Sequence, residues 1–336
     1  IDDTIILRAS KKAPDSKIHH QHGNKANRPK YVQGQCWVSL AGVATKGLTA
    51  AAIPLLSRMM RTGGNTSKLD AARVLIRTIL PVFAGQNTCL LLDAWYMRYR
   101  VIAFALKNKI QVIGQVRKDT ALYDIPTPTG KRGRPRKYGD KYTPERVAQL
   151  PEKRTRMFLY GKNQRLWYKS VVAKARFLKG TKVKVVWTCI ENEDGSRMKT
   201  RLILSTDTSL LPLQSIATFS KRWTIETMFA QLKNNWGWKE AWQQTRQVLH
   251  RWTQILSAGY AIPQLLALKG CVQVSALTNL RPWRSKKVMT AGQVRLGLKR
   301  ILGHVSIRTW WNPKSRKFEP PDTPEPSKYR GGAPFM

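Results

Sequence analysis

Residues 219–233, FSKRWTIETMFAQLK, are the stretch that most constrains how this chain folds. At helical periodicity the large apolar residues fall on one face, which predicts an amphipathic helix with that face buried. This face contains Ile225, Met228, Phe229, Leu232 and Trp236. Phe219, Arg222, Glu226 and Lys233 share a narrow strip beside it. A carboxylate therefore lies at the edge of a buried face, between two basic residues.

Two interpretations of Glu226 are open from the helix alone. Arg222 lies four residues before it, which is the usual spacing of a weak ion pair on a helix surface. The alternative is a functional carboxylate that the buried face holds in place. The rest of the chain has to decide between them.

The charge of the chain points to a polyanionic partner. Its 60 Lys and Arg residues stand against 19 Asp and Glu, which gives a formal net charge of +41. Neutralising phosphates with such charges releases counterions and drives binding, so we expect nucleic acid as the partner. No carboxylate occurs between residues 16 and 69 or between 241 and 318. The few acids that abut apolar runs are therefore conspicuous.

Two of these acids open the chain. IDDTIIL, residues 1–7, combines acids with β-branched residues and predicts a strand. Alternation along a strand places Asp2 and Thr4 on one face and Asp3 on the other. Either aspartate could be functional, and both could also be solvated acids at a strand end.

Asp93 follows a short apolar run, Cys89 to Leu92, that is typical of a buried strand. A helix is predicted directly after it, from Tyr96 to Lys107. A carboxylate at the carboxyl end of a central strand is well placed for function in an α/β sheet. The alternative is that Asp93 caps the next helix.

The helix at residues 219–233 resembles the YREK signature of bacterial insertion-sequence transposases of the DDE superfamily. The shared spacing is aromatic, two residues, Arg, three, Glu, six, Lys, and Phe219 stands where the family usually has Tyr. The resemblance implies an RNase H-like α/β fold, a mixed sheet flanked by helices. It also implies an antiparallel β insertion between the second and third acidic residues.

The same resemblance implies roles for single residues. Asp2, Asp93 and Glu226 would be catalytic and would hold two Mg²⁺ or Mn²⁺ ions; Asp2 is preferred over Asp3 because the family's first acid is followed two residues later by Thr or Ser. Arg222 and Lys233 would position DNA phosphates. Phe219 would fill the Tyr position without its hydroxyl.

The elements divide the chain into four parts. We predict a first part of the catalytic core at 1–117, a β-rich basic insertion at 118–204, a second core part at 205–310 and a disordered Pro-rich tail at 311–336. Residues 31–57 predict a hairpin, and residues 8–30 predict a loop. Because the chain opens inside a predicted strand, we expect an upstream DNA-binding region in the whole protein.

Basic residues outside the signature helix are candidate DNA contacts. Arg132, Arg134 and Arg136 surround a Gly-Arg-Pro segment that would fit a narrow minor groove, and Arg246 suits a phosphate contact. Trp167 and Trp187 could stack on a displaced base, although core packing is the preferred role for each.

The expected function is cleavage and joining of double-stranded DNA at insertion-sequence ends, by a homodimer in a synaptic complex. The alternatives are a non-catalytic or decayed DNA-binding relative and an RNase H-like nuclease that does not join strands. No apolar run approaches the roughly 18 residues that span a bilayer. We therefore expect a cytoplasmic, nucleoid-associated protein.

Overall fold

The structure, a computed structural model, describes residues 1–10, 12–20, 29–62, 67–127, 134–241, 245–270, 289–303 and 310–319. Predicted features that fall between these ranges, among them Arg132 and the tail beyond residue 319, lie outside the described residues.

The first sheet is built from the amino-terminal strands. Its members are β1 (Asp2–Leu7), β2 (Lys17–His20), β3 (Tyr31–Lys46) and β4 (Thr49–Met59). The strands β1, β2 and β4 all pair antiparallel with β3, and β3 and β4 form the predicted hairpin. The strand β2 corrects the loop predicted at 8–30. Its Ile18 is 67% exposed, so backbone pairing at a sheet edge, rather than a buried face, defines this strand and leaves no clear pattern in the sequence.

The second sheet joins the core to the insertion. Its members are β5 (Cys89–Leu92), β6 (Gln111–Val116), β7 (Leu122–Tyr123), β8 (Lys153–Leu159), β9 (Lys162–Ala175), β10 (Thr181–Glu191) and β11 (Arg201–Ser205). The strand order is β5-β6-β11-β10-β9-β7, with β8 on β9. Among the described strands, only β5 and β6 pair in parallel, and β11 runs antiparallel beside β6. The predicted antiparallel insertion is therefore continuous with the core sheet.

The two sheets meet between β1 and β5. The amino group of Ile1 donates to the carbonyl oxygen of Leu91 at 3.0 Å, which places the start of β1 beside the end of β5. Asp2 and Asp93 each lie one or two residues from this bond. The fold thereby brings together two acids that are far apart in the sequence.

Helices cover the amino-terminal sheet on both faces. The bounds of all described α-helices are α1 (Lys68–Ile79), α2 (Tyr99–Lys107), α3 (Pro144–Ala148), α4 (Pro212–Ser220), α5 (Thr224–Asn235), α6 (Arg246–Lys269) and α7 (Ala291–Leu302). Because side chains alternate along β3, Cys36 and Val38 pack with α1 and α2 on one face, and Trp37 packs with α5 and α6 on the other. The second sheet contains both parallel and antiparallel pairs, and this mixed α/β architecture with flanking helices confirms the predicted fold class.

Local signals explain where several helices begin and end. Ser67 and Asp70 stand at the spacing of a helix start signal and form a capping box at the start of α1, which gives way to a 3-10 turn that contains Pro81. On α5, the predicted residues Ile225, Met228, Phe229 and Leu232 are all buried. None of the helices in the described ranges has the length and apolar composition needed to cross a bilayer.

The signature helix is not one continuous α-helix. Its first residues belong to α4, which ends at Ser220. A 3-10 turn follows at Lys221–Trp223, and α5 begins at Thr224. The Thr224 hydroxyl donates to the carbonyl oxygen of Lys221 at 2.7 Å, a local bond that competes with the regular helical pattern. Arg222 therefore lies in a tightened turn between two helices.

The predicted disorder after residue 310 is corrected in its first part. A short hairpin forms from β12 (Trp311–Asn312) and β13 (Lys317–Phe318). The Asn312 side chain accepts hydrogen bonds from the backbone N–H groups of Lys314 and Ser315. This side-chain turn closes the hairpin, with Pro313 inside it.

Candidate active site

Asp2 and Asp93 influence each other electrostatically across the contact between β1 and β5. Burial, together with the negative charge of Asp93, raises the pKa of Asp2 to about 6, although the Asp3 backbone N–H and Arg222 act in the opposite direction. The Asp2 side chain is only 16% exposed. The Asp2 carboxylate thus lies near a second carboxylate at a place where water solvates it poorly.

Asp93 closes a turn and does not cap the following helix. Its Oδ1 atom accepts hydrogen bonds from the backbone N–H groups of Trp95 at 3.1 Å and Tyr96 at 3.0 Å. The helix α2 begins only at Tyr99, three residues later than predicted, and its N-cap residue Arg98 makes no side-chain capping bond. The capping alternative for Asp93 is therefore replaced by a turn that fixes its carboxylate at the end of β5.

Arg222 bridges Asp2 and Glu226. Its Nη1 lies 3.3 Å from Asp2 Oδ2, and its Nη2 lies 2.8 Å from Glu226 Oε1. The guanidinium is also 5.8 Å from the ring centroid of Phe219, which is 4% exposed. The pair that the helix alone presents as a surface contact is thus tied, through Arg222, to the first strand of the fold.

The two aspartates fit a divalent cation, but Glu226 does not join them as the side chains stand. Carboxylate oxygens are hard ligands of the kind that Mg²⁺ and Mn²⁺ prefer, and a cation would relieve the repulsion between Asp2 and Asp93. Glu226 is instead hydrogen-bonded to Arg222. Within the described residues, no group of three or more His, Cys, Asp or Glu side chains could hold a metal ion.

Asp3 points away from this pair. Its carboxylate accepts a hydrogen bond from the Tyr96 hydroxyl at 2.9 Å and forms an ion pair with Lys68 at 2.7 Å. The alternation expected along β1 therefore places Asp2 on the side of Asp93 and Arg222, and Asp3 on the side of α1.

The predicted DNA-binding residues differ in their surroundings. Arg134 and Arg136 are exposed, whereas Arg132 lies outside the described residues. Lys233 is half-buried in the last turn of α5, two turns after Glu226. Arg246 pairs with Asp15 and donates to the Met59 carbonyl oxygen at 2.8 Å. These bonds tie α6 to the amino-terminal sheet, and the phosphate contact of Arg246 stays a prediction.

The two candidate tryptophans of the insertion are engaged by neighbouring side chains. The guanidinium groups of Arg154 and Arg197 lie 5.2 and 4.2 Å from the ring centroid of Trp167, whose Nε1 donates to Glu191. Trp187 packs against the core and lies 6.3 Å from the ring of Tyr142. Trp187 therefore makes the core contact that the sequence favours, whereas Trp167 is held between charged side chains outside the core clusters.

A basic groove beside Asp93 was not predicted. It has a volume of about 580 Å³, and it extends from Ala94 to Phe219 along the junction of β6 and β11. The basic residues that line it are Arg117, Lys118, Lys199 and Arg201. The sequence contains a signal for this groove, because Arg117 and Lys118 directly follow β6, and β6 is parallel to β5, which Asp93 follows. Residues after parallel neighbours share one edge of a sheet.

Comparisons with known proteins place the chain in a family. No curated protein matches it significantly. The family model described as "Transposase DDE domain" matches residues 1–258, which is well over half of the chain. Because the match includes β1, β5 and α5, with Asp2, Asp93 and Glu226, this chain belongs to the family of transposases with a DDE domain.

Proposed function

We propose that the chain cuts DNA at the ends of an insertion sequence and joins the freed 3′-hydroxyl to target DNA, in a metal-dependent cut-and-paste reaction. The observation that carries this proposal is the approach of Asp2 to Asp93 across the β1–β5 contact, with Arg222 and Glu226 beside them. A second, smaller support is the basic groove that leads to the same place.

Asp2, Asp93 and Glu226 are the residues that would hold two Mg²⁺ or Mn²⁺ ions. When bound, such ions activate water or a 3′-hydroxyl and stabilise the leaving oxygen in an in-line displacement at phosphorus. The protein contributes the placement of its carboxylates: β1 presents Asp2, the turn after β5 presents Asp93 and α5 presents Glu226.

Arg222 controls whether Glu226 can turn toward the aspartates. The guanidinium now donates to Asp2 and Glu226 together, so Glu226 is released only when Arg222 gives up that bond. A DNA phosphate is an anion that can replace Glu226 as the partner of Arg222. Because Arg222 lies in the 3-10 turn between α4 and α5, its movement need not disturb the apolar face of α5.

The path of the DNA follows the basic residues. We assign phosphate contacts to Arg222 and Lys233 at the site, and to the groove residues Arg117, Lys118, Lys199 and Arg201 beside it. Further contacts are proposed for Arg132, Arg134, Arg136 and Arg246. The substrate is double-stranded DNA, namely the element ends and the target, held by a homodimer in the cytoplasm at the nucleoid.

The proposal is tested with the whole protein and DNA that carries the element's own ends. Nicking and strand joining are measured with and without Mg²⁺ for the wild type, Asp93→Asn and Glu226→Gln. Asp194→Asn is the matched control, because Asp194 lies in an exposed turn of the insertion and accepts its hydrogen bonds from the neighbouring Ser196. We expect metal-dependent activity that both site variants abolish and the control retains.

Two other outcomes identify the alternatives. Nicking without joining of a 3′-hydroxyl to target DNA would indicate an RNase H-like nuclease. Binding that is sensitive to salt, yet indifferent to Mg²⁺ and to both site variants, would indicate a non-catalytic relative. Full activity of Asp93→Asn would remove the basis of the proposal.

A further inference from the structure

A second hydrogen-bonded group lies directly behind Asp2, on the opposite face of β1. Its centre is Asp3, whose Oδ1 accepts from the Tyr96 hydroxyl at 2.9 Å and whose Oδ2 accepts from Lys68 Nζ at 2.7 Å. The Cys36 thiol lies 3.7 Å from the same Oδ2. The Asp3 side chain is 18% exposed, and Tyr96 is fully buried.

Tyr96 belongs to this group and to the turn that holds Asp93. Its backbone N–H donates to Asp93 Oδ1 at 3.0 Å, while its hydroxyl reaches Asp3. One rigid, buried residue therefore connects the residue next to Asp2 with the carboxylate of Asp93. No backbone ladder between β1 and β5 accompanies the single Ile1–Leu91 bond in the described residues.

The connection matters because Asp2 and Asp3 are consecutive on one strand. The Asp3 backbone N–H also donates to Asp2 Oδ1 at 2.8 Å, so the position of Asp3 fixes that of the Asp2 carboxylate. A shift of β1 along or away from β5 would change the separation of Asp2 and Asp93. The Tyr96 hydroxyl is the side-chain contact that resists such a shift from the side opposite the site.

We propose that Tyr96 and Asp3 form a clamp that sets the separation of the Asp2 and Asp93 carboxylates and thereby their affinity for a divalent cation. This inference rests on the proposed function of the aspartate pair. Tyr96 and Asp3 are positioning residues, since neither faces the site. Partners that orient metal-binding side chains commonly change metal affinity by tenfold or more when they are lost.

The test is Tyr96→Phe, which removes the hydroxyl and keeps the buried ring. Mn²⁺ binding is measured without DNA by electron paramagnetic resonance of the free ion, and the midpoint is the free Mn²⁺ concentration that half-fills the site. We expect this concentration to increase about tenfold. The Mg²⁺ concentration for half-maximal nicking should increase by a similar factor, while DNA affinity in a chelator is unchanged and saturating metal restores most of the rate.

Tyr142→Phe is the matched control. The Tyr142 hydroxyl also donates to a carboxylate, that of Asp124, but this pair lies in the insertion and not behind the aspartates. The control should lower the melting temperature without metal and leave the Mn²⁺ midpoint unchanged. A shift as large as that of Tyr96→Phe would show that any lost tyrosine hydroxyl has the effect, and it would overturn the clamp.

Asp3→Ala removes the same hydrogen bond from its other end and serves as the second variant, also if Tyr96→Phe does not fold. It should shift the Mn²⁺ midpoint by a similar factor, and the double variant should shift it no further than either single change. Unshifted midpoints, or factors that multiply in the double variant, would contradict the clamp. A wild type that neither responds to Mn²⁺ nor nicks DNA would instead refute the proposed function, so the two failures are distinct.

Discussion

In the β insertion Asp124 accepts hydrogen bonds from Tyr142 and Arg146, whereas at the contact of β1 with β5 Asp2 faces a second carboxylate, Asp93. Although burial opposes it, the bonds from Tyr142 and Arg146 lower the pKa of Asp124. Burial and Asp93 raise the pKa of Asp2 to about 6. One carboxylate is stabilised as an anion by its neighbours, and the other is not.

This difference is informative in a chain with so few acids. With a net charge of +41, cations far outnumber carboxylates, and Glu191 of the insertion pairs with both Arg154 and Arg165. Asp2 and Glu226, in contrast, share a single arginine, Arg222, and this arrangement is the reverse of that at Glu191. Such departures are expected where a fold gives up stability for function.

The largest effect should separate the two regions by activity. Asp2→Asn should lower the rate of DNA nicking on the order of a thousandfold or more, because it removes charge that stabilises the transition state through bound metal. Asp124→Asn should leave the rate per folded molecule close to that of the wild type. Single-turnover nicking of end-sequence DNA measures both, and similar losses in the two variants would erase the distinction.

Arg222→Ala should destabilise the core by about 3 kcal/mol, since it leaves Asp2, which is largely buried, without its cation. The matched change in the insertion is Arg154→Ala. It should cost much less, because Arg154 is half-exposed and Glu191 keeps Arg165. Urea unfolding without metal gives both values; equal costs would contradict the greater burial of Arg222 and the second cation of Glu191.

The pH dependence of stability should differ in sign between the two regions. The folded pKa of Asp2 is raised from 3.8 to about 6, so between these values the folded state binds more protons than the unfolded state. Asp2 therefore lowers the free energy of unfolding as pH rises through this window. Asp2→Asn should be about 2–3 kcal/mol more stable than the wild type above pH 6 and equal to it below pH 4.

The check is metal-free unfolding of the two proteins across this pH range, followed by addition of Mn²⁺ at pH 7. Bound metal should lower the pKa of Asp2 and remove the advantage of Asp2→Asn. An advantage that is the same at every pH would show that it does not arise from the Asp2 charge.

Asp124→Asn should change the free energy of unfolding in the opposite direction and by a smaller amount. Because the folded pKa of Asp124 is lowered, its ionised form stabilises the fold above the unfolded pKa, and that contribution is lost as pH falls. The side chain is 31% exposed, so we expect a loss of about 1 kcal/mol at neutral pH. Thermal unfolding at pH 7 measures this loss. A variant more stable than the wild type would show that the Asp124 charge destabilises the fold, as that of Asp2 does.

The smallest effect concerns DNA affinity. Arg134 and Arg136 are exposed on the insertion, and replacing either by Ala should reduce the slope of log K against log salt by about 1. The loss should be the same for all sequences if the contact is to phosphates. Fluorescence anisotropy at several salt concentrations measures it, and a loss confined to A·T-rich DNA would indicate minor-groove reading instead.

Local patterns predicted much of the fold. The apolar run Cys89–Leu92 is β5, the Ser67 and Asp70 signals begin α1, and the apolar face of residues 225–232 is buried on α5. These features depend on residues within one or two turns of each other. The edge strand β2 and the 3-10 turn at Arg222 were missed because pairing along a sheet edge and a Thr224 side-chain bond leave no hydrophobic periodicity.

The sequence by itself determined the charge of the molecule, the type of its main elements and the identity of the acids that stand at their ends. Only the tertiary structure decided what each acid faces. Arg222 reaches Asp2 across 220 positions of the chain, and the Tyr96 hydroxyl reaches Asp3 across 93. Burial and the charge of distant neighbours set the pKa of a carboxylate, and neither is encoded in the residues beside it.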